Sequence, residues 1–368
     1  MSMKSSSSLS CAIALSLALA AHAEAQSVET IASGLSNPRG IAFAPNGDLF
    51  VVEMGVGGPG PCIPSPVFPN PSRCYGPTGA LTRIAPGGVP GFERVATGLP
   101  SLVLETGAAE GGAADLSFHG SVAYVQIGFG GDPAQRALLG DAGALFGWLL
   151  QVMPNGKYRP LADIANHETV NNPYGGPIDS NPYGVLALPG RQIIADAGAN
   201  ALIERAANGR TRTLAVLPAA QPGGRDPVPT SVAEGPDGAL YVSQLTGFPF
   251  WRGTSSIFRL ASDGSSAEVY SSGFTAVVDL AVADDFTLYV LEIASGQVPP
   301  FPPPPPNPGL GVGRLVRQCP GEAPEVLLSG LSFATGVALG PDGAVYLTNK
   351  GTSPNAGEVL RLSVTACP

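Results

Sequence analysis

"GPDGALYVSQLTG" (Gly235–Gly247) and "GPDGAVYLTNKG" (Gly340–Gly351) are nearly the same line written twice in one chain. Each opens on a Pro-Asp-Gly turn, runs through an alternating apolar strand and ends on a polar residue, Gln244 or Asn349. Such turn-then-alternation text is what a half-buried antiparallel strand requires. Aligning on the turn glycine recovers four more copies: "PNGDLFVVEMG" (Pro45–Gly55), "FHGSVAYVQIG" (Phe118–Gly128), "LPGRQIIADAG" (Leu188–Gly198) and "DDFTLYVLEIASG" (Asp284–Gly296). Repetition at this spacing points to a repeat architecture.

Around each copy the same order holds. An apolar strand leads in, as in "GIAFA" or "GVALG". A loop of variable length follows the copy, and strands such as "SSIFRLASDG" and "AEVYSSGF" lead out. Four short strands per unit predict an all-β, six-bladed β-propeller. "VETIAS" at Val28 resembles the strand that ends each unit but stands before the first, and the final unit stops at "VLRLSV". The N-terminal strand is therefore expected to complete the last blade and close the ring, leaving no free edge. A β-sandwich or β-helix leaves that displaced strand unexplained.

Composition narrows the class. The net charge of -9 argues against a nucleic-acid partner. Gly (49) and Pro (38) are abundant and only 13% of residues are charged, but the recurring strand pattern excludes disorder. Lys4, the apolar run Cys11–Ala21 and the small residues of Ala21-His22-Ala23 or Ala23-Glu24-Ala25 read as a signal peptide over 1–25. That leaves 26–368 as a single secreted or periplasmic domain with no later membrane span, expected to be a monomer. Four cysteines then remain and allow three pairings, of which Cys62–Cys74 and Cys319–Cys367 are favoured: the first closes one Pro-rich loop, and the second joins the ends of two related segments.

In a closed four-strand blade the loop before the first strand and the loop between the second and third open on one face. All long insertions fall there, so a binding site is expected on that face. The residue ending the second strand is Glu53, Gln126, Asp196, Gln244, Glu292 or Asn349. At the mouth of a central channel these six form a candidate ligand-binding ring of oxygen acceptors and amide donors. A divalent cation such as Ca²⁺, held by Glu53, Asp196 and Glu292, is the candidate cofactor. The same residue types also cap loops by accepting backbone N–H groups. His167, Asp179, Asn181, Tyr183 and Asp279 are second-tier candidates. His119 sits in a short turn on the far face, no Gly-x-Ser-x-Gly elbow occurs, and the Gly-rich run at Gly55 leads into prolines that cannot open a helix. The polyproline run "PPFPPPPPNP" reads as a stiff exposed loop.

The lines "DSNPYGVLALPG", "IIADAGANALIER", "GPDGALYVSQLTGFPF", "FTAVVDLAVADDFTLYVLEIASG" and "GRLVRQC" resemble the ScyD/ScyE family of exported bacterial proteins. With the opening "GLSNPRGIAFAPNGDLFVVEMG" they cover nearly the whole mature chain. That family is similar to NHL-type and gluconolactonase-type propellers; the resemblance implies compartment and fold and supplies no catalytic residues. The expected function is a binding or scaffold module whose loop-rich face takes a small molecule or an envelope or extracellular protein. The alternative is a metal-dependent hydrolase, lactonase or lyase at the channel mouth, using some of Glu53, Asp196, Glu292 and Asn349.

Overall fold

The computed structural model describes residues 27–67, 71–84, 91–221, 223–248, 250–295 and 312–367; the expected leader and the polyproline run lie outside the described residues. The chain is almost entirely antiparallel strand. Strand β1 (Val28–Leu35) is followed by β2 (Pro38–Phe43), β3 (Leu49–Glu53), β4 (Cys62–Pro64), β5 (Ser72–Ile84) and β6 (Phe92–Leu104). Next come β7 (Ala109–His119), β8 (Val122–Gly128), β9 (Trp148–Val152) and β10 (Tyr158–Asp163), then a short helix α1 (Ile164–Asn171). Three regular groups follow: β11 (Pro182–Leu188), β12 (Arg191–Asp196), β13 (Ala201–Ala206) and β14 (Thr211–Val216); β15 (Pro229–Glu234), β16 (Leu240–Gln244), β17 (Ser255–Leu260) and β18 (Ala267–Phe274); β19 (Val277–Val282), β20 (Leu288–Glu292), β21 (Gly313–Gln318) and β22 (Glu325–Leu331). The chain ends with β23 (Gly336–Leu339), β24 (Val345–Asn349) and β25 (Gly357–Leu362).

Each of the three regular groups is a four-stranded sheet in sequence order, and a fourth has the order β1-β25-β24-β23. The N-terminal strand thus pairs with the C-terminal one, Val28 opposite Leu362 and Leu35 opposite Gly357.

The expectation of six blades is corrected here. Four blades stand as separate four-stranded sheets, and β2 to β10 form one continuous sheet of nine strands. The reason is the length of β5 and β6, 13 residues each. In the separate sheets the outermost strand ends before the chain crosses to a new innermost strand. Here β6 runs on to Leu104, turns tightly and pairs with β7, Ser101 opposite Gly112 and Val103 opposite Ala109, so the sheet never breaks.

Innermost strands pack in succession, β2 on β7, β7 on β11, β11 on β15, β15 on β19, β19 on β23 and β23 back on β2. Apolar cores fill the wedges between neighbouring sheets. Leu202, Leu240 and Val242 sit in one, and Val278, Leu291 and Leu347 in another. Near the axis two aspartates weld neighbouring inner strands: Asp115 of β7 accepts the Val185 amide of β11 at 2.8 Å, and Asp279 of β19 accepts the Val337 amide of β23 at 2.7 Å.

The residues before those amides are Gly184 and Gly336. A β-carbon on Gly184 would stand 2.6 Å from the Thr230 carbonyl oxygen, and one on Gly336 would stand 2.7 Å from that of Arg39. Only glycine lets the inner strands come this close. Gly184→Ala is expected to lower stability by about 1–3 kcal/mol, the usual toll of overpacking, read as a fall in the urea midpoint. An unchanged midpoint would show that the inner strands have room to spare.

Both expected disulfides form. Cys62–Cys74 joins β4 to β5, and Cys319–Cys367 ties the segment after β21 to the C-terminal tail. No helix among the described residues is long and apolar enough to cross a membrane.

Candidate functional site

The six second-strand residues are the natural starting point, and all are buried. Glu53 accepts the Ser36 amide at 2.7 Å, the Thr82 hydroxyl at 2.5 Å and a two-pronged contact from Arg94 at 2.7 and 2.8 Å. Glu292 repeats the arrangement with the Thr275 amide at 2.8 Å and the guanidinium of Arg314. Asp196 accepts the Ser180 hydroxyl and the amides of Asn181, Gly198 and Ala199. Asn349 accepts the Ser332 amide at 2.8 Å and donates to Glu358. These four side chains therefore fasten the loop that leads into their own blade, a geometry familiar from Asx-type caps.

The two glutamines depart from that pattern. The residue that would donate to Gln244 is Pro227, which has no N–H, and Gln244 keeps an unpaired Nε2. Gln126 donates to the carbonyls of Ile127 and Trp148. Among the described residues no three His, Cys, Asp or Glu side chains converge as a metal site.

The second-tier residues divide. His167 lies on α1 and hydrogen-bonds Thr211 and Thr213 at 3.1 and 2.9 Å, with burial lowering its pKa. Asp179 accepts the Gly131 amide at 2.9 Å. Asp279 and Asp115 lie within the channel. Burial, and then the charge of Asp279, push Asp115 well above the carboxylate range, while burial raises Asp279 to about 6 against a hydrogen bond from Ser231. Asn181 and Tyr183, by contrast, line a cavity.

That cavity, about 270 Å³, opens at the channel mouth on the loop-rich face. Its polar wall holds Arg39, Glu110, Asn181, Tyr183, Thr230 and Thr335, and its apolar wall holds Met54, Val228, Leu245, Val278 and Ile293. Arg39 is 6% exposed and donates to the carbonyls of Pro38, Gly351 and Ala109. Burial lowers its pKa. The Tyr183 hydroxyl has no hydrogen-bond partner among the described residues, and burial pushes its pKa up to about 12, so it is a neutral donor. Burial also raises Glu110, whose Oε1 takes the Ser65 hydroxyl while Oε2 has no hydrogen-bond partner. Apolar walls with a few convergent polar groups are the usual make-up of a small-ligand site.

A larger cavity, about 400 Å³, lies on the short-turn face between β2–β6 and β7–β10, walled by Phe50, Leu81, Val95, Phe118 and Val152. Its two charged residues, Asp48 and Arg83, pair with each other at 3.5 Å, so among the described residues its lining has no unpaired charge for a ligand. The channel mouth is the better candidate despite its smaller size.

Sequence reasoning missed Arg39, Glu110, Thr230 and Thr335. The one available signal was Arg39 itself, a full charge written directly before the buried strand "GIAF".

No family model matches the sequence, and no curated protein matches it. Solved structures do match. A Bacteroides thetaiotaomicron protein of unknown function has a TM-score of 0.55 at 10% identity over 93% of this chain and 76% of that one. The fold is a β-propeller. The soluble aldose sugar dehydrogenase of Escherichia coli in its apo form superposes with a TM-score of 0.51 at 15% identity, over 92% of this chain and 99% of that one. A streptogramin B lyase gives 0.46 at 14% identity over 92% and 98%. At these identities the likeness is one of propeller architecture alone.

Proposed function

We propose that this β-propeller is an exported binding protein of the ScyD/ScyE type, with residues 1–25 removed as a leader and a small ligand held at the channel mouth. The observation that carries the reading is the convergence of Arg39, Asn181, Tyr183 and Thr335 on one apolar-walled cavity at the loop-rich end. Two disulfides suit an oxidising compartment. A volume near 270 Å³ fits a compact molecule, at the lower end of ordinary ligand sites.

A metal-assisted hydrolase needs carboxylates free to share one ion. Glu53, Asp196 and Glu292 each spend their oxygens on separate blades, and this favours the binding reading.

The test is a thermal-shift screen of small soluble organic compounds on the wild type and on Thr352→Trp, which places a bulky ring in the cavity lining. Compounds that raise the wild-type melting temperature are expected to lose most of that effect in the variant. Equal stabilisation of both proteins would put the ligand elsewhere.

A further inference from the structure

We infer that the channel-mouth cavity selects a monoanion, a carboxylate carried on a short apolar body; this rests on the cavity being the ligand site. The argument starts from Arg39. A buried guanidinium ordinarily sits against a carboxylate, because an unpaired charge away from water is costly. Arg39 has no such partner: its hydrogen bonds all go to uncharged carbonyl oxygens, those of Pro38, Ala109 and Gly351. The charge is therefore held in place by main-chain dipoles and left without a counter-ion.

The neighbours shape the anion that fits. Tyr183 lines the same cavity, and among the described residues its hydroxyl is unclaimed. One carboxylate can thus take charge from Arg39 and a neutral hydrogen bond from Tyr183. No carboxylate hydrogen-bonds Arg39 among the described residues: Asp115 and Asp279 accept the amides of Val185 and Val337, and Glu110, on the same polar wall, takes the Ser65 hydroxyl and is pushed toward its neutral form by burial. Beyond the polar wall, Met54, Leu245 and Ile293 offer apolar surface to whatever carries the charge. Arg39 is the one cation of the cavity lining among the described residues, which is why a monoanion fits best.

Isothermal titration of the mature protein with benzoate, and separately with its neutral isostere benzamide, tests this without any substitution. Benzoate is expected to bind at least tenfold more tightly. In Arg39→Gln that preference is expected to vanish while benzamide binding stays, and Tyr183→Phe is expected to weaken both. Arg39 also holds Gly351 and Ala109, so if Arg39→Gln does not fold, the wild-type comparison decides alone. Equal binding of benzoate and benzamide overturns the anion selectivity and leaves the cavity as a ligand site. Binding of neither, with Thr352→Trp also silent in the thermal screen, overturns both.

Discussion

Glu53→Ala is expected to destabilise the protein by about 3 kcal/mol, the scale seen when one member of a buried, hydrogen-bonded ion pair is removed. The carboxylate is fully buried, and its loss strands three groups at once: the Ser36 amide, the Thr82 hydroxyl and the guanidinium of Arg94. Arg94 is 39% exposed and can turn to water, so the larger share of the loss falls on the other two groups. Glu53→Gln keeps the volume and one acceptor oxygen but turns an NH₂ toward donors, so about half that effect is expected. Glu292→Ala should behave like Glu53→Ala, because Thr275 stands where Ser36 does and Arg314, from the adjacent strand, supplies the guanidinium that Arg94 supplies to Glu53. The two sites lie in different sheets, so their effects should add. Urea midpoints read all of this. The opposite outcome is informative: carboxylates gathered to hold a cation repel one another when it is absent, and removing one would then leave stability unchanged or raise it.

The same geometry shows what the sequence could and could not reveal. Strand, turn and displaced terminus were legible because each is local: Pro-Asp-Gly sets a turn, alternation sets a buried face, and "VETIAS" has nowhere to pair but the end of the chain. The fusion of β2–β10 into one sheet was not legible. It depends on a tight hairpin at Glu105–Ala108, turned by Gly107, and on β6 continuing past the point where the other outer strands stop, which a turn glycine does not reveal. The equivalence of Glu53, Asp196, Glu292 and Asn349 was legible, but the direction of their side chains was not, since a carboxylate ending a strand can serve a ligand or its own loop. The deciding clue lay elsewhere in the chain. Gln244 faces Pro227, which has no N–H to give, whereas Glu53, Glu292 and Asn349 each meet a free amide. The cavity itself joins Arg39, Asn181, Thr230 and Thr335 from four inner-strand segments, a proximity that only closing the ring creates.

Acidification supplies the second large effect, and its sign is unusual. Most proteins lose stability as pH falls because their paired carboxylates are held below their ordinary pKa. Here a group of buried ones is held above it. Burial pushes Asp196 from 3.8 up to about 6 even against its four hydrogen bonds, and burial followed by the charge of Asp196 takes Glu168 to about 7. Asp115, Asp179 and Glu110 move the same way, each chiefly through burial. A carboxyl whose pKa is higher folded than unfolded binds its proton more tightly in the folded state, so stability must increase as pH falls from above the folded value toward the unfolded one. Every tenfold gain in proton affinity on folding corresponds to about 1.4 kcal/mol, so Asp196 alone should contribute on the order of 2 kcal/mol between pH 7 and 4. The trend reverses lower down, where Asp263 and Asp285, held below 3.8 by Ser265 and Thr287, take up protons. Asp196→Asn isolates the main contributor. Its amide oxygen can still accept the amides of Asn181, Gly198 and Ala199, and its NH₂ can donate to the Ser180 hydroxyl, so the cap survives without the charge. The expected result is a wild-type urea midpoint that climbs from pH 7.5 to 4.5 and a variant whose profile is flatter by about 2 kcal/mol over that range. A wild-type midpoint that falls steadily with pH would mean these carboxylates are solvated or paired in the folded protein, and the buried capping network would have to be redrawn.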